Sequence, residues 1–135
     1  MEIPEKEIVI TDRAPKPIGP YSAGVQAGQF VFTAGQIGLD PESGELVPGG
    51  IAAETRQALD NIENILHAAG SSIVLVVKTT VFLRDMADFG NMNAVYGEFF
   101  REAPPARSTV QVAALPRGAA VEIEAVAILG RSRGD

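Results

Sequence analysis

The apolar residues of this chain change their spacing several times, and each change marks an element. From Ile51 to Ala69 the positions Ile51, Thr55, Ala58, Leu59, Ile62, Ile65, Leu66 and Ala69 follow helical spacing, and Gly70 stands where a left-handed C-terminal cap belongs. A second helical stripe, Phe89, Met92, Tyr96, Phe99 and Phe100, follows Asp88, a residue suited to capping it. Elsewhere the pattern is that of strands. Residues 7–10 form a short one, and residues 23–27 and 30–34 read as a hairpin around Ala27-Gly28-Gln29, with Phe30 and Phe32 on one face and Val31 and Thr33 on the other. Residues 73–83, rich in Val, Ile, Thr and Phe, read as a central strand buried on both faces in its first half. Residues 104–112 are a strand launched by prolines, and residues 121–125 are its expected partner, reached through the Leu115-Pro116-Arg117-Gly118 turn.

The order β-β-β-α-β-α-β-β predicts an α+β layer, with two helices packed on one face of a mixed six-stranded sheet. Its other face is then left bare, although Ile73-Val74-Leu75-Val76-Val77 and residues 121–129 carry apolar groups on both sides. A face of that size is expected to be covered by self-association, most simply into a cyclic oligomer. Pro15, Pro17, Gly19 and Pro20 stiffen a loop that ends at Tyr21, while Asp40-Pro41-Glu42-Ser43-Gly44 and Pro48-Gly49-Gly50 are turns with no core element between them. The 135 residues fit one domain, 1–135, without linker, repeat or low-complexity segment. Disorder is expected only in the first few residues and in the Arg131–Asp135 tail.

Composition narrows the function. A net charge of −6 without a basic run argues against a nucleic-acid surface, which needs concentrated Lys and Arg. The absence of cysteine excludes disulfides, thiolate nucleophiles and Cys-ligated zinc, and favours a reducing compartment. The acidic start, Met1 to Glu7, is unlike a signal peptide, and no apolar run approaches the roughly 20 residues that cross a bilayer, so a cytoplasmic protein without membrane contact is expected. No cofactor is expected: no His, Cys and Asp stand at metal-ligand spacing, and Gly19, Gly35, Gly49 and Gly50 do not make a phosphate loop. His67, the only histidine, falls opposite the apolar stripe of its helix and should face water, and Lys78 is taken as structural.

The candidate chemistry lies in the last two strands. Arg107 and Glu122 sit in otherwise apolar runs, where an unpaired charge is costly. A guanidinium matches a carboxylate in bidentate fashion, and a partly buried glutamate can have its pKa tuned for proton transfer, so the pair points to a small anionic substrate attacked by water. A plainer alternative makes Arg107 the ion-pair partner of Glu122 or Glu124 across a strand pair. Glu124 shares the parity of Glu122, and Tyr21 on residue pattern alone is a packed loop residue with a satisfied hydroxyl.

These segments carry a resemblance over nearly the whole chain. Ile18-Gly19-Pro20-Tyr21-Ser22, Phe32-Thr33-Ala34-Gly35-Gln36-Ile37, Asp40-Pro41 with Ser43-Gly44, Val77-Lys78-Thr79-Thr80-Val81-Phe82-Leu83, Asn93 with Tyr96, Pro105-Ala106-Arg107-Ser108 and Val121-Glu122-Ile123-Glu124-Ala125 occur in the order in which they resemble the RidA/YjgF family of reactive intermediate deaminases, also called the endoribonuclease L-PSP family. The resemblance implies a chorismate-mutase-like fold assembled as a homotrimer, with sites in the clefts between subunits. It implies cofactor-free hydrolysis of 2-imino acids and enamines, of the 2-aminoacrylate and 2-iminopropanoate type, to 2-oxo acids and ammonia. By the same resemblance Arg107 clamps the substrate carboxylate, Glu122 positions or activates water, and Tyr21 closes the pocket. Backbone near Gly35 and Thr109 holds the imine end, Ala34 lines the same site, and Asn93 bounds the cleft. Two positions depart from the family pattern: Ala34 stands where a serine is common, and Pro104 where a bulky aromatic residue often precedes Pro-Ala-Arg. Thr33, on the opposite strand face, is no obvious substitute for that serine hydroxyl. The competing functional readings are a non-catalytic trimer that binds a 2-oxo acid for regulation or protein protection, and a ribonuclease, which the acidic charge and lone histidine oppose.

Overall fold

A computed structural model describes residues 5–130 of the chain. The terminal segments expected to be disordered, residues 1–4 and the Arg131–Asp135 tail, lie outside the described residues. The strands are β1 (Lys6–Val9), β2 (Gly24–Ala27), β3 (Phe30–Thr33), β4 (Val76–Leu83), β5 (Ala106–Gln111) and β6 (Val121–Ile128), and the helices are α1 (Gly50–Ala68) and α2 (Phe89–Phe99). They form one mixed six-stranded sheet in the order β1-β2-β3-β6-β4-β5, in which only β4 and β5 are parallel.

Alternation along the strands sends Val31, Val81, Leu83, Val121 and Ile123 to one face, where Leu59, Ile62 and Leu66 of α1 and Met92 of α2 close over them. Gly70, with φ +86, ends α1 as expected, its N–H donating to His67 O. The opposite face is uncovered in the single chain. It carries Ile8, Phe30, Phe32, Val110 and Ile128, each more than a third exposed, around a central polar stripe of Lys78, Thr80, Glu122 and Glu124. Lys78 bonds Ser108 there at 3.0 Å, and His67 faces solvent as expected.

Four expectations are corrected. The last two strands are not partners, because β4 lies between them. The strand–helix–strand path through α2 returns β5 parallel to β4 on one side, and β6 then pairs antiparallel on the other. Second, β4 begins only at Val76, since Ile73–Leu75 form a 3-10 turn that buries Ile73 and leaves Val74 85% exposed. The first half of that segment is therefore not buried on both faces. Third, Asp88 makes no capping bond; Asp85 accepts from Ala87 N–H at 2.9 Å and opens a preceding 3-10 turn, Met86–Asp88. Fourth, the first strand runs one residue earlier, and Ile10 is 84% exposed.

Candidate active site

The predicted site residues fall into two groups on opposite faces of the sheet. Thr79, Val81 and Leu83 of β4 point toward the helices, and the parallel register sets Thr79 beside Arg107 and Val81 beside Thr109. Arg107 and Thr109 therefore share the helix side. The Arg107 guanidinium lies 4.7 Å from the centre of the Tyr96 ring and 5.5 Å from that of Phe89. Asn93 lies on the same stripe of α2, and its Oδ1 is buried without a hydrogen-bond partner among the described residues. The Tyr96 hydroxyl is 2.7 Å from Thr79 Oγ1, and burial raises its pKa against the opposing pull of that bond.

Glu122 points the other way. It pairs with Phe82 in the antiparallel ladder and joins Tyr21, Gly35, Ile37, Leu39 and Pro116 around a cavity of about 220 Å³. The wall at Gly35 is a β-bulge: from Phe32 to Gln36 is four residues, while their partners Val126 and Ile123 are three apart. Across this gap Thr33 Oγ1 accepts from Ala125 N–H at 3.0 Å. Ala34 N–H donates to Ala23 O at 2.8 Å and Gln36 N–H to Ile123 O at 2.8 Å, so the bulge is pinned on both sides of Gly35. A Cβ built on Gly35 would fall inside the Glu122 carboxylate, so only glycine leaves that group its place. Burial raises the Glu122 pKa above the ordinary glutamate value, and the charge of Glu124 pushes in the same direction.

Tyr21 is half-exposed at the end of the proline loop, and its hydroxyl accepts from Ile18 N–H at a long 3.4 Å. The ring lines the cavity and is not packed away, as the plain reading of the loop would have it. The ion-pair reading of Arg107 is also corrected: the two ion pairs among the described residues are Arg56–Glu98 and Arg117–Glu45, and both strand glutamates occupy the other face. Sequence reasoning assigned no role to Thr79, and none beyond core packing to Phe89 and Tyr96; the spacing of Phe89, Asn93 and Tyr96 along one helix stripe was the available signal. Among the described residues no three of His, Cys, Asp and Glu gather as a metal-ligand set.

A carboxylate in a small apolar cavity and an arginine laid on aromatic rings, on either face of one helix-covered sheet, define a small-molecule cleft protein. The Endoribonuclease L-PSP family model matches residues 11–129, and the chain belongs to that family, the RidA/YjgF family. It is 53% identical over 125 residues to the 2-iminobutanoate/2-iminopropanoate deaminase of Mus musculus, covering 93% of each chain. It is 55% identical over 122 residues to a RutC family protein of Pyrococcus horikoshii, covering 90% of this chain and 97% of the relative. The crystal structure of the YjgF gene product of E. coli superimposes with a TM-score of 0.87 at 47% identity, over 90% of this chain and 98% of that one.

Proposed function

We propose that this protein hydrolyses 2-imino acids and their enamine tautomers to 2-oxo acids and ammonia, in the cytoplasm, as a homotrimer whose sites lie between protomers. The observation that carries the reading is the Glu122 carboxylate, held half-buried against Gly35 and facing a small cavity, in a chain about half identical to 2-iminobutanoate/2-iminopropanoate deaminases. The substrate carboxylate docks on the in-plane N–H groups of Arg107. Glu122 takes a proton from water as the oxygen bonds to the imine carbon and passes it to the nitrogen, giving a carbinolamine. It then takes the carbinolamine hydroxyl proton and delivers it to the nitrogen as the C–N bond breaks and the C=O bond forms. The products are a ketone and ammonia, and no external acid, base or oxidant is consumed. Backbone at Gly35 and Thr109 holds the imine end, with Ala34 beside it, Tyr21 closes the cavity, and Asn93 bounds the opposite wall.

The split of the site supports the trimer. Arg107 stands on the edge strand β5 and Glu122 on the uncovered face of a central strand, so one protomer's edge meets its neighbour's face. That contact also covers Phe30, Phe32 and Val110. No part of this scheme calls on nucleic acid, and among the described residues no helix is long and apolar enough to cross a membrane.

The test is 2-oxo acid release from 2-iminopropanoate formed in situ by an amino-acid oxidase, with semicarbazide trapping the residual imine. Wild type accelerates release, and Glu122→Gln loses roughly a hundredfold or more. A second reading, a binding module without turnover, is favoured by Ala34, because the nearby Thr33 hydroxyl accepts from Ala125 N–H and does not line the cavity that Glu122 faces. Tight 2-oxo acid binding with no acceleration over buffer would establish that reading instead.

A further inference from the structure

Arg107 rests on aromatic rings, and those rings are themselves held. Phe89 and Tyr96 are seven residues apart on α2, two turns, so both face the same edge of the sheet. Tyr96 is 6% exposed; its ring packs on Phe100 with centroids 4.6 Å apart, and its hydroxyl meets Thr79, which is 1% exposed. Thr79 is also the ladder neighbour of Arg107. The strand residue beside the arginine thus anchors the ring beneath it. The guanidinium carbon sits over both rings, and neither ion pair among the described residues engages Arg107. An arginine on an edge strand has many rotamers open to it, and a shelf at 4.7 Å and 5.5 Å removes most of them before any ligand arrives.

We propose that Phe89, Tyr96 and Thr79 are positioning residues that aim the Arg107 guanidinium, and so set the preference of this protein for anionic over uncharged ligands. This rests on the reading that Arg107 binds the substrate carboxylate. Phe89 supplies the outer ring; Tyr96 supplies the inner ring; Thr79 fixes the tilt of that ring through its hydroxyl. None of the three touches the reacting carbon or its water.

Calorimetric titration of the folded oligomer with 2-oxobutanoate and with its uncharged methyl ester tests the proposal. Phe89→Leu is expected to weaken acid binding by about tenfold and Thr79→Val, which is nearly isosteric, by about threefold, with ester affinity unchanged in both. Tyr96→Phe retains the ring and should follow Thr79→Val, whereas Tyr96→Leu should lose as much as Phe89→Leu. In turnover the same variants raise KM for 2-iminopropanoate and leave kcat near wild type. Equal losses for acid and ester would show a packing role only and overturn the proposal. Wild-type acid affinity in Thr79→Val and Phe89→Leu, with Arg107→Ala defective, would also overturn it while leaving the carboxylate clamp standing. If Arg107→Ala itself binds the acid as wild type does, the clamp reading fails and the positioning proposal with it.

Discussion

Arg107 and Glu122 lie on opposite faces of one sheet, with β4 between them: Thr79 flanks the arginine on the helix side and Phe82 flanks the glutamate on the other. A sheet is impermeable to a substrate of a few atoms, so these two groups meet one molecule only if different protomers supply them. Complementation follows. Arg107→Ala and Glu122→Gln are each expected to be inactive alone. Mixed at equal ratio and allowed to exchange subunits, they should recover about one quarter of wild-type activity, the fraction of clefts that receive an intact residue from each neighbour. Verified exchange without recovery would place both residues in the same cleft wall and sink the inter-subunit site.

Gly35 offers a second test. Its amide neighbours are pinned, so a methyl group there cannot be relieved by moving the strand; the Glu122 carboxylate must leave instead. Gly35→Ala is expected to lower kcat by about a hundredfold while costing less than about 1 kcal/mol, because the group in the way is the free end of a flexible side chain. Gly28→Ala is the control, since its Cβ meets open space and only the left-handed φ of +60 is strained. It should lose about 1 kcal/mol and no activity.

The pH dependence has a sign in each of two measurements. On the proposed mechanism Glu122 is ionised to take a proton from water, so kcat is expected to fall as pH drops through its raised pKa. Removing the charge of Glu124 with Glu124→Gln takes away the second cause and moves that acid limb to lower pH. For stability the direction is opposite. A carboxyl whose folded pKa exceeds its unfolded value stabilises the fold when protonated. That contribution is full below the ordinary glutamate pKa and is lost as pH rises through the folded one. Glu122→Gln should therefore raise Tm at neutral pH, with the advantage shrinking in acid. A variant less stable than wild type at pH 7 would contradict the burial of this charge.

What the sequence disclosed was whatever depends on local period. The stripe from Ile51 to Ala69, the hairpin at Gly28 and the parity that puts Val31 inward and Phe32 outward are all present in the structure. Pairing between distant strands was not legible, because the strand-forming runs at 76–83, 106–111 and 121–128 do not say which pairs with which. That gap hid the most consequential fact about the site, since the faces of Arg107 and Glu122 can be compared only through β4. The strand–helix–strand order around α2 did hold the clue to a parallel pair. The buried polar residues of α1 were missed for a different reason: Glu54 and Asn61 border the apolar stripe but are polar, and both bond backbone outside the helix.

Asn61 shows what such a residue does for the cleft. It is fully buried; its Nδ2 donates to Leu39 O at 2.9 Å and Ile37 O at 3.4 Å, and its Oδ1 accepts from Gln57 Nε2 at 2.9 Å. Ile37 and Leu39 line the cavity beside Glu122, so the amide ties one cavity wall to α1. Asn61→Ala leaves the Leu39 carbonyl without its donor, while Ile37 O keeps the Leu39 N–H at 2.8 Å, and is expected to destabilise the fold by about 1–3 kcal/mol. Asn61→Asp keeps the size but puts carboxylate oxygens against those carbonyls, and should be worse at pH 7 than at pH 4. Thermal unfolding at the two pH values measures both effects. Because the wall at residues 37–39 then rests on backbone contacts alone, KM for 2-iminopropanoate should rise in either variant below its unfolding temperature. An unchanged KM in a destabilised protein would show that the wall keeps its shape without the amide.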